Sequence, residues 1–179
     1  MRLPLSDAKL CISLLDDLDM FALKIFDIAK KGDIVTDLND LRATLREHWQ
    51  KDSNFIEKFI SSQKKLSEDK IRIIRDWKGY YRQNYIIMKH YKEYSIFSPH
   101  NQKEEDKFFG VLGLTQSIKS VIPQKPPILL ETSLLPYKGQ IIWDGIVRVS
   151  NLLFGKNMTK SFRELSDETK ENGEVILQF

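Results

Sequence analysis

The chain has 179 residues, 41% of them hydrophobic and 30% charged, with a formal net charge of +3. This is the composition of a globular chain able to bury a core, and it excludes a disordered or low-complexity one. The lone Cys11 excludes an intramolecular disulfide and any multi-cysteine zinc or iron–sulfur site, and the lack of a secretory leader or of any apolar run near the ~18 residues a membrane span requires points to a cytoplasmic protein with no membrane partner.

The first predicted element is a helix over 7–31. Ser6 suits its N-cap, and Leu5 and Leu10 form a hydrophobic staple. Cys11, Leu14, Leu15, Leu18, Ala22, Ile25 and Ala29 recur at helical spacing, Lys30 and Lys31 suit the last turn, and Gly32 suits the position after it. Thr36 caps a second helix over 37–48 with Leu38, Leu41 and Leu45 inward. Ser53 or Asp52 starts a short third helix with Phe55, Ile56, Phe59 and Ile60. Ser67 caps a fourth over 68–78, with Ile71, Ile74 and Trp77 along one stripe.

After Gly79 the period changes. Tyr85–His90 and Tyr94–Phe97 read as a first hairpin, followed by a polar loop over 98–106. Lys107–Leu114 reads as a strand whose Gly110 and Gly113 signal a bulge or close backbone approach. Gln116–Val121 suits one helical turn, and Pro123, Pro126 and Pro127 keep the next connection extended. Pro127–Val147, PILLETSLLPYKGQIIWDGIV, then places two apolar β-rich runs around the turn Pro136–Gly139. A polar helix follows over 157–172, with Met158, Phe162 and Leu165 on one stripe and Gly173 closing it. Glu174–Phe179 reads as a last short strand.

Helices first and strands later predict an α+β fold. Three to four helices over 1–79 form a layer on a mainly antiparallel sheet over 80–179, of five to six strands, open or curled into a partly open barrel, with one late helix. The two parts make separate regions or share one core. The segments VLGLT at 111–115, ETSLLPYKGQIIWDG at 131–145 and LLFG at 152–155 carry a further signal. On them the C-terminal half resembles a group of bacterial and archaeal proteins of unknown function. The resemblance implies a shared β module and carries over no catalytic residue.

Charge is unevenly spread. Residues 1–62 hold 9 basic and 11 acidic side chains, 63–99 hold 9 and 4, and 100–179 hold 10 and 10. In the basic stretch Lys70, Arg72, Arg75, Lys78 and Arg82 interleave with Trp77 and Tyr81. Cations for phosphates and flat rings for bases are what single-stranded nucleic acid requires. An ordinary solvated helix face with a core tryptophan accounts for the same residues.

A second candidate lies in the 127–147 hairpin. With Leu135 opposite Gln140, Glu131 falls opposite Asp144, and two facing carboxylates are tolerated when a cation bridges them or one holds a proton. They would then serve a hard metal or acid–base chemistry. A different register, or a compensating neighbour such as Arg148, removes the need for either. The apolar surplus of helix 7–31 with the Phe55–Ile60 stripe suits a partner or homodimer face, or simply the core. His48, His90 and His100 share no ligand spacing, and no cofactor fingerprint is present, so no cofactor is expected. Two functions follow: a non-enzymatic interaction module binding a protein or an anionic, nucleic-acid-like partner through 64–82, and, as the alternative, a metal-dependent hydrolase using Glu131 and Asp144.

Overall fold

Each helix is placed by what its apolar stripe finds to cover. The computed structural model describes residues 1–28, 37–100 and 107–179. Helix α1 (Leu5–Ile25) turns Ala8, Cys11, Leu14, Leu15, Leu18 and Ala22 inward, as the spacing requires. It starts before the expected Ser6 cap. Pro4 is the N-cap, because the preceding backbone is already fixed on the sheet by the Leu3 N–H donating to the Gly113 carbonyl at 3.0 Å. It also stops before residue 31: Phe26 is the C-cap, and Asp27 just beyond takes the left-handed conformation at φ 49°. The expected last turn, Gly32 and the Thr36 cap fall outside the described residues.

Asp37 caps α2 (Leu38–Lys51), its carboxylate accepting from the N–H groups of Asn39 at 2.7 Å and Asp40 at 3.3 Å. The expected inward Leu38 is exposed. The helix instead buries Ala43, Leu45, Arg46, Trp49 and Gln50, so two polar side chains point into the fold. In α3 (Phe55–Ser62), Phe55, Ile56 and Phe59 are buried, with Phe21 packed on both phenylalanine rings at 5.4 Å and Trp49 stacked on Phe55 at 5.8 Å. The stripe expected as a partner face is therefore core. Ser67 stands at the N-cap of α4 (Glu68–Asp76), and Trp77 at its other end is fully buried.

The strands are β1 (Gln83–His90), β2 (Ser95–Pro99), β3 (Phe109–Leu112), β4 (Ile128–Thr132), β5 (Leu134–Tyr137), β6 (Gln140–Trp143) and β7 (Arg148–Val149), with a short α5 (Ile118–Val121) before β4 and α6 (Lys156–Glu171) after β7. They form one sheet in the order β5-β6-β3-β2-β1-β4-β7, antiparallel except for β3 beside β6, and the sheet curls into a half-barrel. The fold is α+β, as the order of elements predicts.

The hairpin at 127–147 is corrected in one respect. The first apolar run breaks at Ser133: β4 pairs with β1 and β7, and only β5 pairs with β6. The turn is the two residues Lys138 and Gly139, at φ 48° and 73°, the left-handed pair that a tight hairpin requires. Tyr137 therefore faces Gln140, and the expected Leu135–Gln140 register is shifted by two residues.

Side chains of β1 alternate between two cores. Tyr85 and Ile87 join the main cluster, which runs from Leu3 on the N-terminal segment to Trp143 on β6 beneath the helices. Ile86 and Met88 join Ile96 and Phe108 in a smaller cluster that Phe154 and Phe162 cover from the other side. Only Phe162 of the expected α6 stripe packs inward, since Met158 and Leu165 are 52% and 42% exposed. The C-terminal segment adds one parallel bridge, Ile176 to Phe109, and Gly110 admits it: a Cβ there would stand 2.6 Å from Leu177 Cδ2. Cys11 is buried in the main cluster, and burial pushes its thiol up to about 12, so it stays protonated and packs as a small apolar residue.

Gly113 is a tight junction. Its N–H and carbonyl bond Met1 and Leu3, and a Cβ there would overlap the Gln116 carbonyl oxygen. Backbone is the obstacle, so no rotamer change relieves it. Gly113→Ala is expected to lose about 1–3 kcal/mol in urea denaturation, with the slope unchanged.

Candidate anion-binding surface

The residues of the basic segment separate in the fold. Trp77 is buried and its indole N–H donates to the Pro136 carbonyl at 2.9 Å, so it offers no ring to a ligand. Arg75 makes a two-bond fork to Glu57 at 3.1 and 3.0 Å, and Arg72 pairs with Asp69 at 2.9 Å. The Arg75 fork holds the Glu57 carboxyl below its usual range. Arg82 turns inward. Lys70 is half-buried and Lys78 exposed, both without an ion-pair partner among the described residues, and Tyr81 is 56% exposed. Sequence neighbours here are thus not structural neighbours, and their positive charge is largely matched.

The two carboxylates belong to one ionic row, buried at Asp144 and half-buried at Glu131. Glu131 lies opposite Asn84 on β1 and Arg148 on β7, not opposite Asp144. Asp144, just past β6, accepts from the Thr132 hydroxyl and the Ile146 N–H on one oxygen, both at 3.0 Å. Its other oxygen meets Arg46 at 2.9 Å and Arg82 at 3.3 Å. Arg46 continues to Asp19 of α1 at 3.2 Å, and Arg82 to Glu131 at 3.8 Å. Arg148 then joins Glu131 at 3.3 Å to Glu47 at 2.9 Å and Asp40 at 3.1 Å on α2. Signs alternate along the row, and it crosses from helices to sheet.

Burial pulls the Arg46 guanidinium down, but Asp144 and then Asp19 outweigh it, and the net direction is up. At Asp19 burial is the larger influence and the carboxyl is raised despite Arg46 and Trp49. Asp144 is therefore the main countercharge of the row. Its oxygens are spent on arginine, hydroxyl and amide donors. Among the described residues no group of three or more His, Cys, Asp or Glu stands ready to hold a metal.

Unmatched positive charge gathers elsewhere. A bulge at Met88 shifts the β1–β2 register between Ile87 and Lys89, and beyond it His90 pairs with Ser95. The His90 Nδ1 lies 2.8 Å from the Ser95 hydroxyl, while Nε2 is buried with no partner among the described residues. Two hollows meet at this ring. One, about 360 Å³, is lined by Lys89, His90, Lys119, Pro126, Lys125 and Arg163. The other, about 340 Å³, is lined by Met1, His90, Tyr91, Lys92, Ser117 and Lys119. Lys89 is matched by Asp167, which it bonds at 2.5 and 2.6 Å. Lys92, Lys119, Lys125 and Arg163 are exposed, with no ion-pair partner among the described residues. Burial, then Lys119 and the terminal amine, push His90 down to about 4, so it is neutral near pH 7.

Sequence reading missed this surface because its cations come from three places: the β1–β2 turn, the 119–125 segment and α6. Residues 100–179 balance to zero overall, which hides Lys119, Lys125 and Arg163. The available signal was Lys119 and Lys125 in the connection that holds Pro123, Pro126 and Pro127, with no acid between them. Comparison with known proteins finds no matching family model, no similar curated protein and no similar solved structure, so this surface is read from its chemistry alone.

Proposed function

We propose that the protein is a binding module for a multiply charged anionic partner, which it holds over the paired hollows around His90 and Lys119. The single observation behind this reading is the concentration there of four unmatched cations, Lys92, Lys119, Lys125 and Arg163, in a concave surface. Like charges held together in a fold repel, and an anion of opposite charge relieves that repulsion. In the 64–82 segment the arginines already have acidic partners, so that segment has less to gain from a ligand. Glu131 and Asp144 act in this reading as scaffold, since they are the acidic partners of Arg82, and Asp144 of Arg46, inside the fold.

Two variants of equal charge change decide between the surfaces. With sulfate titrated at low and moderate salt, replacing Lys92, Lys119 and Lys125 by Gln is expected to weaken binding by at least ~tenfold. Replacing Lys70, Arg72 and Arg75 by Gln should change it less than about twofold. The reverse order would move the site to 64–82, and equal losses would reduce the effect to net charge.

A further inference from the structure

The two hollows share the His90 ring and Lys119, and each has cations of its own: Lys125 and Arg163 in one, Lys92 in the other. We propose, resting on the anion-binding reading above, that they are adjacent subsites for one linear polyphosphate chain, with Lys119 between them serving both.

Charge is the first argument. A single phosphate group brings about −1.5 to −2, too little to match Lys92, Lys119, Lys125 and Arg163 together. A chain of linked phosphates brings enough charge and distributes it along its length. The second argument is the division of the cations. No single hollow holds all four, so one compact anion cannot reach them, whereas an extended one crossing the shared wall can.

The third argument separates this ligand from a nucleic acid. Single-strand binding relies on open aromatic faces for the bases. Tyr91 is the one tyrosine, tryptophan or phenylalanine among the described residues that line either hollow. Its ring is already engaged by Lys170 at 4.1 Å and Lys89 at 5.1 Å, and its hydroxyl donates to Asp167 at 2.6 Å. The remaining walls are Met1, Met88, prolines and polar side chains. The surface therefore offers contacts to phosphate and no platform for a base.

Calorimetric titration of the full chain with phosphate and with tripolyphosphate tests this. Tripolyphosphate is expected to bind at least ~tenfold tighter than phosphate. Lys92→Gln, which removes the lysine that one hollow does not share, and the pair Lys125→Gln with Arg163→Gln, which removes the unmatched cations that the other does not share, should each remove most of that advantage while phosphate still binds the intact hollow. Lys64→Gln with Lys65→Gln, outside both hollows, should leave the advantage in place. An advantage that survives Lys92→Gln, or that falls equally when Lys64 and Lys65 are replaced, overturns the two-subsite proposal. A single-stranded oligonucleotide that outcompetes tripolyphosphate at equal phosphate content overturns the choice of ligand. Absence of phosphate and sulfate binding in the unaltered chain would instead remove the anion-binding reading itself.

Discussion

Replacing Asp144 by Ala is expected to destabilise the protein by about 3–5 kcal/mol, the largest loss from any side chain in the ionic row. The side chains of Arg46, Arg82 and Asp144 are 2%, 1% and 0% exposed. Removing the carboxylate leaves two guanidinium groups buried without their central countercharge, and breaking one end of a buried pair costs far more than the pair contributes. It also deprives the Thr132 hydroxyl and the Ile146 N–H of their acceptor. Asp144→Asn should fall between, because its amide oxygen keeps those two bonds while the charge is lost. Asp19→Asn should be mildest. Burial already raises the Asp19 carboxyl in the fold, so its charged form is the less favoured one there. Urea denaturation of the three variants measures the order. A loss below about 1 kcal/mol for Asp144→Ala, within the range of an exposed pair, would mean that water reaches the row and screens it.

The same row shows where sequence reading stops. Most of the α1 stripe was legible because helical period is a local property: Cys11, Leu14, Leu15, Leu18 and Ala22 are buried, while Ile25 at the helix end is 43% exposed and Ala29 lies outside the described residues. The turn into β6 was legible within the expected Pro136–Gly139 for the same reason, although Pro136 and Tyr137 belong to β5 and only Lys138 and Gly139 form it. Partner choice was not. Ile128–Thr132 and Leu134–Tyr137 look alike as β sequence, and nothing at Ser133 marks the change from β1 to β6 as neighbour. That change carries Glu131 away from Asp144 and lets Arg82, 62 residues from Asp144, enter between them. Arg82 and Trp77 fit a ligand-facing role by composition, since a basic stretch supplies both a cation and a ring. Their burial is decided by Asp144 and the Pro136 carbonyl, which sequence distance conceals. The cationic hollows were illegible in a stronger sense, since no single segment of the chain contains enough of them to register.

Sulfate binding at the paired hollows should tighten at least ~tenfold as pH falls from about 7 towards about 4.5, and His90→Gln should abolish that dependence. His90 is held down to about 4 in the free protein by burial first, then by Lys119 and the terminal amine. Ser95 meets its other ring nitrogen, and Lys89, Lys92, Lys125 and Arg163 line the same hollows. Asp167 matches Lys89, and among the described residues no carboxylate lines either hollow, so the unmatched charges that line them are positive. A bound dianion offsets these charges and favours the imidazolium, which raises the histidine in the complex above its value in the free protein. The sign follows: binding takes up a proton, affinity grows as pH falls through the complex's pKa, and it levels off below about 4, where the free protein is protonated as well. Sulfate keeps its double charge across this window, so the ligand contributes no slope of its own. Without ligand the opposite trend holds for stability. The unfolded chain protonates near 6.5 and the folded one near 4, so stability present above 6.5 is lost as pH falls towards 4, and thermal stabilisation by sulfate should grow over the same interval. Ring proton shifts of His90 followed with and without sulfate give the two pKa values directly. A common pKa in both states, or a pH dependence that persists in His90→Gln, would show that the ring does not sense the anion. If the His90→Gln protein binds at pH 7 like the unaltered chain, yet shows no gain in acid, His90 is the proton acceptor of the bound state.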